Sequence, residues 1–419
     1  MSVAALAGMM SLAACSSDDI VSPADNDVQT IKIAVASTGD KSTRSRDLNS
    51  EEPNQNIENV AVVIRDKANT VVYQKVITDW KTASSIYTDN GHGREYTLKL
   101  EKGQRLKAGE YTITAVGYTA ADFKNNTIES ATGVVAGNFT AEVADGKAAQ
   151  EAFAGESSIK LLEDYAAINP SVTLHRQVAG YYGYFTSIPF KVNNKTVTNV
   201  RLVARSKNTK LTYGNFNSNF TTTNDKIMYV VNGSEPATTK DAKFNGSAEN
   251  DAYTVYNIKV DDWFTQGDMN NDGILDEKDA LTEGGWTNAL ADKGYLTYQP
   301  GTIFAGGFAV PFAATTAATL ELQLLDASGE ILKSWTVAMA TKQTAGQGVD
   351  GVALTVPETV QNFSFFRNHM YTLGKKVDNT KDKPGTTTPD EPEPLDKSQS
   401  MILRVNDNWE VINRMTIGD

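Results

Sequence analysis

Short stretches in which apolar and polar residues alternate recur along most of the chain, and they are bounded by Gly, Asn and Asp. Alternation of this kind is typical of β-strands, whose successive side chains point to opposite faces of a sheet. In the first part of the chain it predicts strands at 30–36, 60–64, 71–76, 96–100 and 111–118. In the second part it predicts strands at 172–175, 181–190, 197–204, 227–231, 253–260, 303–312, 319–325, 331–338 and 369–373.

The number and spacing of these strands predict an all-β fold with two β-sandwich domains in tandem. Asn169 and Pro170 interrupt the pattern, because Pro restricts both its own backbone and that of the residue before it. We therefore expect one sandwich at 47–168 and the other at 169–377. Helix is expected in only two places, around 157–165 and after Asp276 in a small insertion at 267–295.

The composition of the chain changes near residue 378. Residues 378–396 are rich in Thr, Pro, Lys, Asp and Glu and nearly devoid of apolar side chains, so we expect an extended linker. The last segment, 397–419, alternates again and predicts a long strand with one apolar face. That face consists of Met401, Leu403, Val405, Trp409, Val411, Met415 and Ile417.

A single strand with an apolar face is unstable and prone to aggregate unless it joins a sheet. Two arrangements are open for this tail. It folds back onto the sheet of its own chain, or it enters another copy and completes the sheet of that copy. The second linkage runs head to tail and does not close, so it would join copies of this chain, or related subunits, into a filament.

The segment after the first predicted strand is polar and contains Arg44 and Arg46. A trypsin-like or Arg-specific protease could cut an exposed segment of this kind after either arginine. The cut would release 15–46, including the first strand, and would leave the first sandwich one strand short. The tail of a neighbouring copy could then fill the vacant place.

The first residues, 1–14, are uncharged, mostly small or apolar, and too few to span a bilayer. They end at Leu12-Ala13-Ala14-Cys15, which has the pattern of a bacterial lipobox. We expect 1–14 to be a signal peptide and Cys15 to carry a lipid, which would be the only contact with a membrane before cleavage. No Lys or Arg precedes the apolar run, so we expect the natural start to lie upstream.

The chain is acidic, with 51 acidic and 39 basic residues and a formal net charge of -12. This balance argues against nucleic acid as a partner. The chain has three histidines and one cysteine, and it contains no nucleophile elbow, phosphate loop or zinc signature. We therefore do not expect an enzyme, and the sequence identifies no receptor.

The sharpest local motif runs from Asp268 to Asp279, inside the predicted insertion. Oxygen-bearing side chains are spaced as in a calcium-binding loop, and Gly273 stands where such loops turn sharply. The expected ligands are the side chains of Asp268, Asn270, Asp272, Asp276 and Asp279 and the backbone carbonyl of Ile274. Calcium bound there would be structural. The other interpretation is an acidic, Asn-rich surface turn.

The order of these features resembles that of the Bacteroidales fimbrillins, the FimA/Mfa1-type major pilins of type V fimbriae. The likeness rests on the lipobox, the early strand, the Arg-containing segment, the acidic linker and the final strand. The acidic stretch after Cys15, Ser16-Ser17-Asp18-Asp19, is similar to an export tag of surface lipoproteins in the Bacteroidetes. Residues 172–179 resemble the strand that opens the second fimbrillin domain, and residues 366–373 resemble the strand that closes it.

The resemblance implies transthyretin-like sandwiches and a pilin exported as a lipoprotein to the outer membrane. It also implies trimming by an Arg-specific or trypsin-like protease and strand exchange into an extracellular fimbrium that serves adhesion or biofilm formation. Because this chain has both the arginines and the tail, a stalk subunit is favoured over an anchor or tip. The alternative is a monomeric, surface-exposed lipoprotein that binds glycans and pairs its tail with its own sheet.

Overall fold

The computed structural model describes residues 19–20, 29–35, 37–38, 57–86, 94–119, 123–125, 140–143, 149–213, 232–247, 249, 251–281, 299–312, 320–339, 365–374, 392–397, 401–406 and 410–411. Helix in these residues is limited to the short α1, Trp80–Ala83, and a 3₁₀ turn, Val260–Asp262. No helix in the described part of the chain is both long and apolar enough to cross a membrane. The predicted all-β class is confirmed.

The strands of the first half are short to medium in length. They are β1 (Asp19–Ile20), β2 (Thr30–Val35), β3 (Ser37–Thr38), β4 (Asn59–Asp66), β5 (Val71–Ile77), β6 (Ser85–Ile86), β7 (Arg94–Lys99), β8 (Gly109–Tyr118), β9 (Phe123–Asn125), β10 (Thr140–Val143), β11 (Phe153–Leu161) and β12 (Ser171–Arg176).

The strands of the second half are also short to medium in length. They are β13 (Ala179–Thr186), β14 (Ile188–Pro189), β15 (Lys191–Val192), β16 (Lys195–Thr196), β17 (Asn199–Ala204), β18 (Asn208–Thr212), β19 (Gly233–Pro236), β20 (Tyr253–Lys259), β21 (Ile274–Leu275), β22 (Thr302–Ala309), β23 (Leu320–Leu325), β24 (Ile331–Met339), β25 (Met370–Leu373), β26 (Glu393–Pro394), β27 (Met401–Asn406) and β28 (Glu410–Val411).

The first sheet has the strand order β5-β4-β8-β11-β12-β2-β7-β6. It bends between β11 and β12, which pair only where Phe153 and Ala154 face Arg176 and His175. One core therefore lies between its two halves, and it includes Ile64, Ile113 and Phe153 from one side and Ile33, Leu98 and Val172 from the other. This is a sandwich made by one folded sheet.

The second sheet has the order β20-β17-β23-β24-β27-β25-β13-β22, with β26 added beside β13. Its core again draws on both halves, with Leu202, Ile258 and Leu322 from one side and Phe185, Ile303 and Tyr371 from the other. The tail strand β27 is the element that joins the two halves. A four-stranded sheet, β19-β18-β10-β9, and a further shared core link the first sandwich to the second.

The structure differs from the sequence-based boundary at β12. The sequence pattern assigned 172–175 to the second domain, whereas β12 pairs with β11 and β2 and places Val172 and Leu174 in the first core. The Asn169-Pro170 interruption marks a loop before the last strand of the first sandwich. Pairing with β2, far away along the chain, decides the membership of β12, and a local pattern does not contain that information.

The helix predicted around 157–165 is wrong. Residues 153–161 form β11, which pairs with β8 along its whole length, and residues 162–165 form a turn. Leu161, Leu162 and Tyr165 imitate a helical spacing, but the pairing with β8 overrides it. After Asp276, residues 277–279 form a turn, and most of the predicted insertion beyond residue 281 lies outside the described residues.

Candidate functional site

The first strand, β2, is an internal strand of the first sheet. It runs parallel to β12 on one side and antiparallel to β7 on the other. Ile31, Ile33 and Val35 point from it into the first core and are fully buried. Removing β2 would therefore unpair the backbone edges of two strands and expose one face of the core.

A buried glutamine precedes this strand and connects two loops. The Gln29 amide nitrogen donates to the carbonyl oxygens of Leu106 and Ala166 at 3.1 and 2.8 Å. Its carbonyl oxygen accepts a hydrogen bond from the backbone N–H of Leu106 at 2.7 Å. Gln29 was not predicted as a site residue, because one polar residue before an apolar run looks like an ordinary strand boundary.

The tail strand β27 has the same kind of surroundings in the second sheet. It runs parallel to β24 and antiparallel to β25, and Met401 is fully buried in the second core. Within a single chain the tail is thus paired with its own sheet, which is the first of the two arrangements that the sequence left open. Leu403 and Val405 also lie in β27.

The end of the predicted linker 378–396 is bound to the sheet rather than extended in solvent. Glu393 and Pro394 pair with β13, and the backbone N–H of Leu395 donates to the carbonyl of Thr186 at 3.0 Å. The Leu395 side chain is fully buried in the second core. The prediction of an extended linker is therefore wrong at its end. Burial of a single apolar side chain, Leu395, holds this otherwise polar segment against the sheet.

The two ends of the chain meet at a small antiparallel pair. Glu410 and Val411 of β28 pair with Thr38 and Ser37 of β3. The remaining predicted residues of these segments, Cys15, Arg44, Arg46, Trp409, Met415 and Ile417, lie outside the described residues.

The acidic loop is held by its own side chains. The Asp268 carboxylate accepts the N–H of Gly273 at 2.9 Å, and the Asp279 carboxylate accepts the N–H groups of Met269 at 2.8 Å and Asp276 at 3.1 Å. Gly273 has φ of 85°, which only Gly adopts without strain. The other oxygen of Asp268, Oδ1, is buried and has no hydrogen-bond partner.

A lysine side chain already neutralises part of this loop. Lys278 Nζ lies 3.0 Å from Asp272 and 3.7 Å from Asp276. The hydrogen bond from Lys278 is the main reason why the pKa of Asp272 is lowered, and the same contact raises the pKa of Lys278. Across the described residues, no group of three or more His, Cys, Asp or Glu side chains is arranged to hold a metal ion.

The aromatic run of β13 belongs to the cores. Tyr181 and Phe185 are buried in the second core, and Tyr182 and Tyr184 are buried in the core shared by the two sandwiches. These rings therefore present no surface on which a sugar could stack.

No known sequence family matches the chain, and neither does any curated protein. Several solved structures are similar to it. A fimbrial assembly protein from Parabacteroides distasonis is 14% identical with a TM-score of 0.35, covering 84% of this chain and 93% of that one. The fimbrial anchor protein Mfa2 from Porphyromonas gingivalis is 12% identical with a TM-score of 0.35, covering 83% and 90%.

A candidate cell adhesion protein from Bacteroides eggerthii is 12% identical with a TM-score of 0.38, covering 93% of this chain and 98% of that one. Because these identities and TM-scores are low, we infer the function below from the residues of this chain. These three structures are a fimbrial assembly protein, a fimbrial anchor protein and a candidate cell adhesion protein.

Proposed function

We propose that this chain is the structural stalk subunit of a cell-surface fimbrium of the FimA/Mfa1 type, without enzymatic activity. It is exported as a lipoprotein on Cys15, cut after Arg44 or Arg46, and polymerised by donor-strand exchange, in support of adhesion. One observation carries the proposal. The strand that the cut would release, β2, and the tail strand β27 each lie inside a sheet, between one parallel and one antiparallel neighbour.

Loss of β2 is costly for an isolated subunit. Each of its three fully buried aliphatic side chains contributes about 1.5–3 kcal/mol by burial, and two sheet edges lose their hydrogen bonds. A strand with the same direction and the same alternation of apolar side chains would restore both the burial and the hydrogen bonds. The tail offers such a strand, because Met401, Leu403 and Val405 alternate as Ile31, Ile33 and Val35 do.

Each cut subunit then has one vacant place and one strand to give. The linkage is head to tail and extends without closing, so it yields a filament. Before the cut, β2 fills the first sheet and β27 fills the second, which keeps the precursor monomeric. After the cut, Cys15 and its lipid leave with β2, and the subunit is held only by its neighbours.

The pairing of β27 with β24 and β25 also supports the alternative function, a monomeric glycan-binding lipoprotein with a self-paired tail. The decisive experiment treats the purified full chain with limited trypsin and follows filaments by electron microscopy and sedimentation. We expect loss of the first forty-odd residues and filament growth. A chain ending at Asp396 should be cut but stay monomeric.

Two results would contradict strand exchange. One is a cut full chain that stays monomeric while it binds a glycan array, which would support the alternative. The other is a chain ending at Asp396 that polymerises as well as the full chain.

The acidic loop is proposed to bind a structural calcium ion. The ligands would be the side chains of Asp268, Asn270, Asp272, Asp276 and Asp279 and the carbonyl of Ile274. The unpartnered, buried Oδ1 of Asp268 fits this role, and so does the sharp turn at Gly273. Lys278 would have to release Asp272 and Asp276, so calcium and the ammonium group compete for one place.

A further inference from the structure

The segment that begins at Gln29 and the segment that begins at Gln399 have matching chemistry. The first reads Gln29-Thr30-Ile31-Lys32-Ile33-Ala34-Val35, and the second reads Gln399-Ser400-Met401-Ile402-Leu403-Arg404-Val405. Both begin with an amide and then a hydroxyl, and both continue with apolar side chains at alternate positions. This correspondence fixes one alignment of the tail on β2, with Gln399 in the place of Gln29.

The amide position is the most demanding one. Gln29 is fully buried, and it holds the N–H and carbonyl of Leu106 and the carbonyl of Ala166. A cut after Arg44 or Arg46 removes Gln29 together with β2, so these backbone groups lose a buried partner. Buried polar groups of this kind need a replacement hydrogen bond, and a glutamine amide supplies both the donor and the acceptor.

The face of the strand opposite Ile31 and Ile33, which is partly buried at Lys32 and 5% exposed at Ala34, gives a second match. Lys32 Nζ lies 2.7 Å from Glu95 Oε2, and Glu95 faces Ala34 directly across the pair of β2 with β7. The cut removes this lysine. In the same alignment Ile402 takes the place of Lys32, and Arg404 takes the place of Ala34. The cation is thus moved to the position directly opposite Glu95.

We propose that the tail of a neighbouring copy enters the first sheet in this register. Gln399 then binds the loops at Leu106 and Ala166, and Arg404 pairs with Glu95. The inference rests on the proposed strand exchange and adds the residues that set its register. A slip of one residue would turn the apolar face outwards. A slip of two would put Met401 at the polar site of Gln29, or Gln399 in the core position of Ile31.

The register can be read by disulfide trapping in trypsin-treated protein. Cys15 is the only cysteine and leaves with the cut segment, so only introduced thiols remain. The on-register pair is Thr97→Cys with Ile402→Cys, because Thr97 faces Lys32 in the pair of β2 with β7. The off-register controls combine Thr97→Cys with Ser400→Cys, and Lys99→Cys with Ile402→Cys, because Lys99 faces Thr30 in the same strand pair. These lie on the same strand face, but their Cα atoms would be beyond the roughly 7 Å that a disulfide spans.

We expect a covalent ladder on non-reducing gels for the pair of Thr97→Cys with Ile402→Cys and little cross-linking for the two controls. A ladder that is equal or stronger in an off-register pair would overturn the register while leaving strand exchange intact. If the unmodified chain forms no filaments after the cut, the proposed function fails, and the register fails with it.

A second measurement tests the amide itself. Gln399→Leu keeps the bulk but offers no hydrogen bond, so the concentration at which half of the cut chain sediments as polymer should rise about tenfold or more. Ser398→Leu, one residue earlier, adds similar apolar bulk and should leave that concentration nearly unchanged. Unchanged assembly of Gln399→Leu, with normal filaments of the parent chain, would overturn the role given to Gln399.

Discussion

Arg176 and Glu151 form an ion pair that is completely buried. Arg176 Nε and Nη2 both donate to Oε1 of Glu151, at 2.9 and 2.6 Å, and neither side chain is exposed to solvent. The guanidinium also lies 4.9 Å from the centre of the Phe153 ring. Arg176 ends β12, where the chain passes from the first sheet to the second. The ion pair therefore joins the start of the segment that connects the two sandwiches to Glu151, which lies just before β11.

Removing the Glu151 carboxylate should strongly destabilise the folded chain. We expect Glu151→Ala to lower the free energy of unfolding by about 3–5 kcal/mol, because Arg176 then loses its buried counter-charge. Urea unfolding followed by tryptophan fluorescence measures the change. The control is Glu142→Ala, which removes an acid 44% exposed and 3.8 Å from Lys210, and it should cost at most about 1 kcal/mol. Similar losses in both variants would contradict the special role of the buried pair.

Gly155 lies on β11 where the first sheet bends towards β12. A Cβ at this position would lie 2.0 Å from the carbonyl oxygen of Thr173, a backbone atom that cannot move aside cheaply. We expect Gly155→Ala to lower the free energy of unfolding by about 1–3 kcal/mol or more through overpacking. Gly103→Ala is the matched control, because a Cβ there meets nothing within 4 Å. A neutral Gly155→Ala in urea unfolding would show that the two halves of the sheet are farther apart.

Alternation of side chains predicted many of the longer strands, because a strand that is buried on one face must alternate. Thr30–Val35 and Val71–Ile77 both lie where the pattern put them. The prediction was wrong where pairing with a distant strand determines the secondary structure. The helix predicted around 157–165 is such a case, because Phe153–Leu161 pairs with β8 over nine residues and is a strand.

The candidate site was predictable to a smaller extent. The arginines, the tail and the acidic loop each carry a local signature. Gln29 and Leu395 do not, because their importance lies in what they meet, which is the loops at Leu106 and Ala166 for one and the second core for the other. The only signal for Gln29 in the sequence is that Gln399 begins a similar segment near the other end of the chain.

Calcium should stabilise the acidic loop in a way that depends on Asp272. We expect Asp272→Ala to lower the melting temperature in calcium but not in chelator, since the carboxylate matters most as a ligand. Lys278→Met removes the competing ammonium group and should enlarge the rise in melting temperature on adding calcium. Asp326→Ala is the control, because the Asp326 carboxylate also accepts backbone N–H groups in a turn, those of Ser328 and Glu330. Its effect on the melting temperature should be the same with and without calcium. Equal losses for Asp272→Ala with and without calcium would refute the site.

His369 should make stability depend on pH. Burial, with a further contribution from the charge of Arg367, lowers the pKa of His369 from 6.5 to about 4. The unfolded chain therefore binds this proton at a higher pH than the folded chain. The contribution to stability is complete above pH 6.5 and is lost as the pH falls towards 4, on the order of 1.4 kcal/mol per pH unit.

The measurement is urea unfolding at a series of pH values for the parent chain and for His369→Gln. We expect the variant to lose less stability than the parent between pH 6.5 and pH 4. His175→Gln, which alters a histidine that is partly exposed on β12, should keep the steep profile of the parent. Parallel profiles for the parent and His369→Gln would contradict the buried, neutral state of this imidazole.

Leu395 should act as the anchor from which the tail begins. Its side chain is fully buried in the second core, and its N–H donates to Thr186 at 3.0 Å. We expect Leu395→Ala to lower the free energy of unfolding by about 2–5 kcal/mol, as for other buried leucines. Leu162→Ala shortens a leucine that is 55% exposed and should have little effect. A Leu395→Ala chain as stable as Leu162→Ala would mean that the linker end is not bound to the sheet.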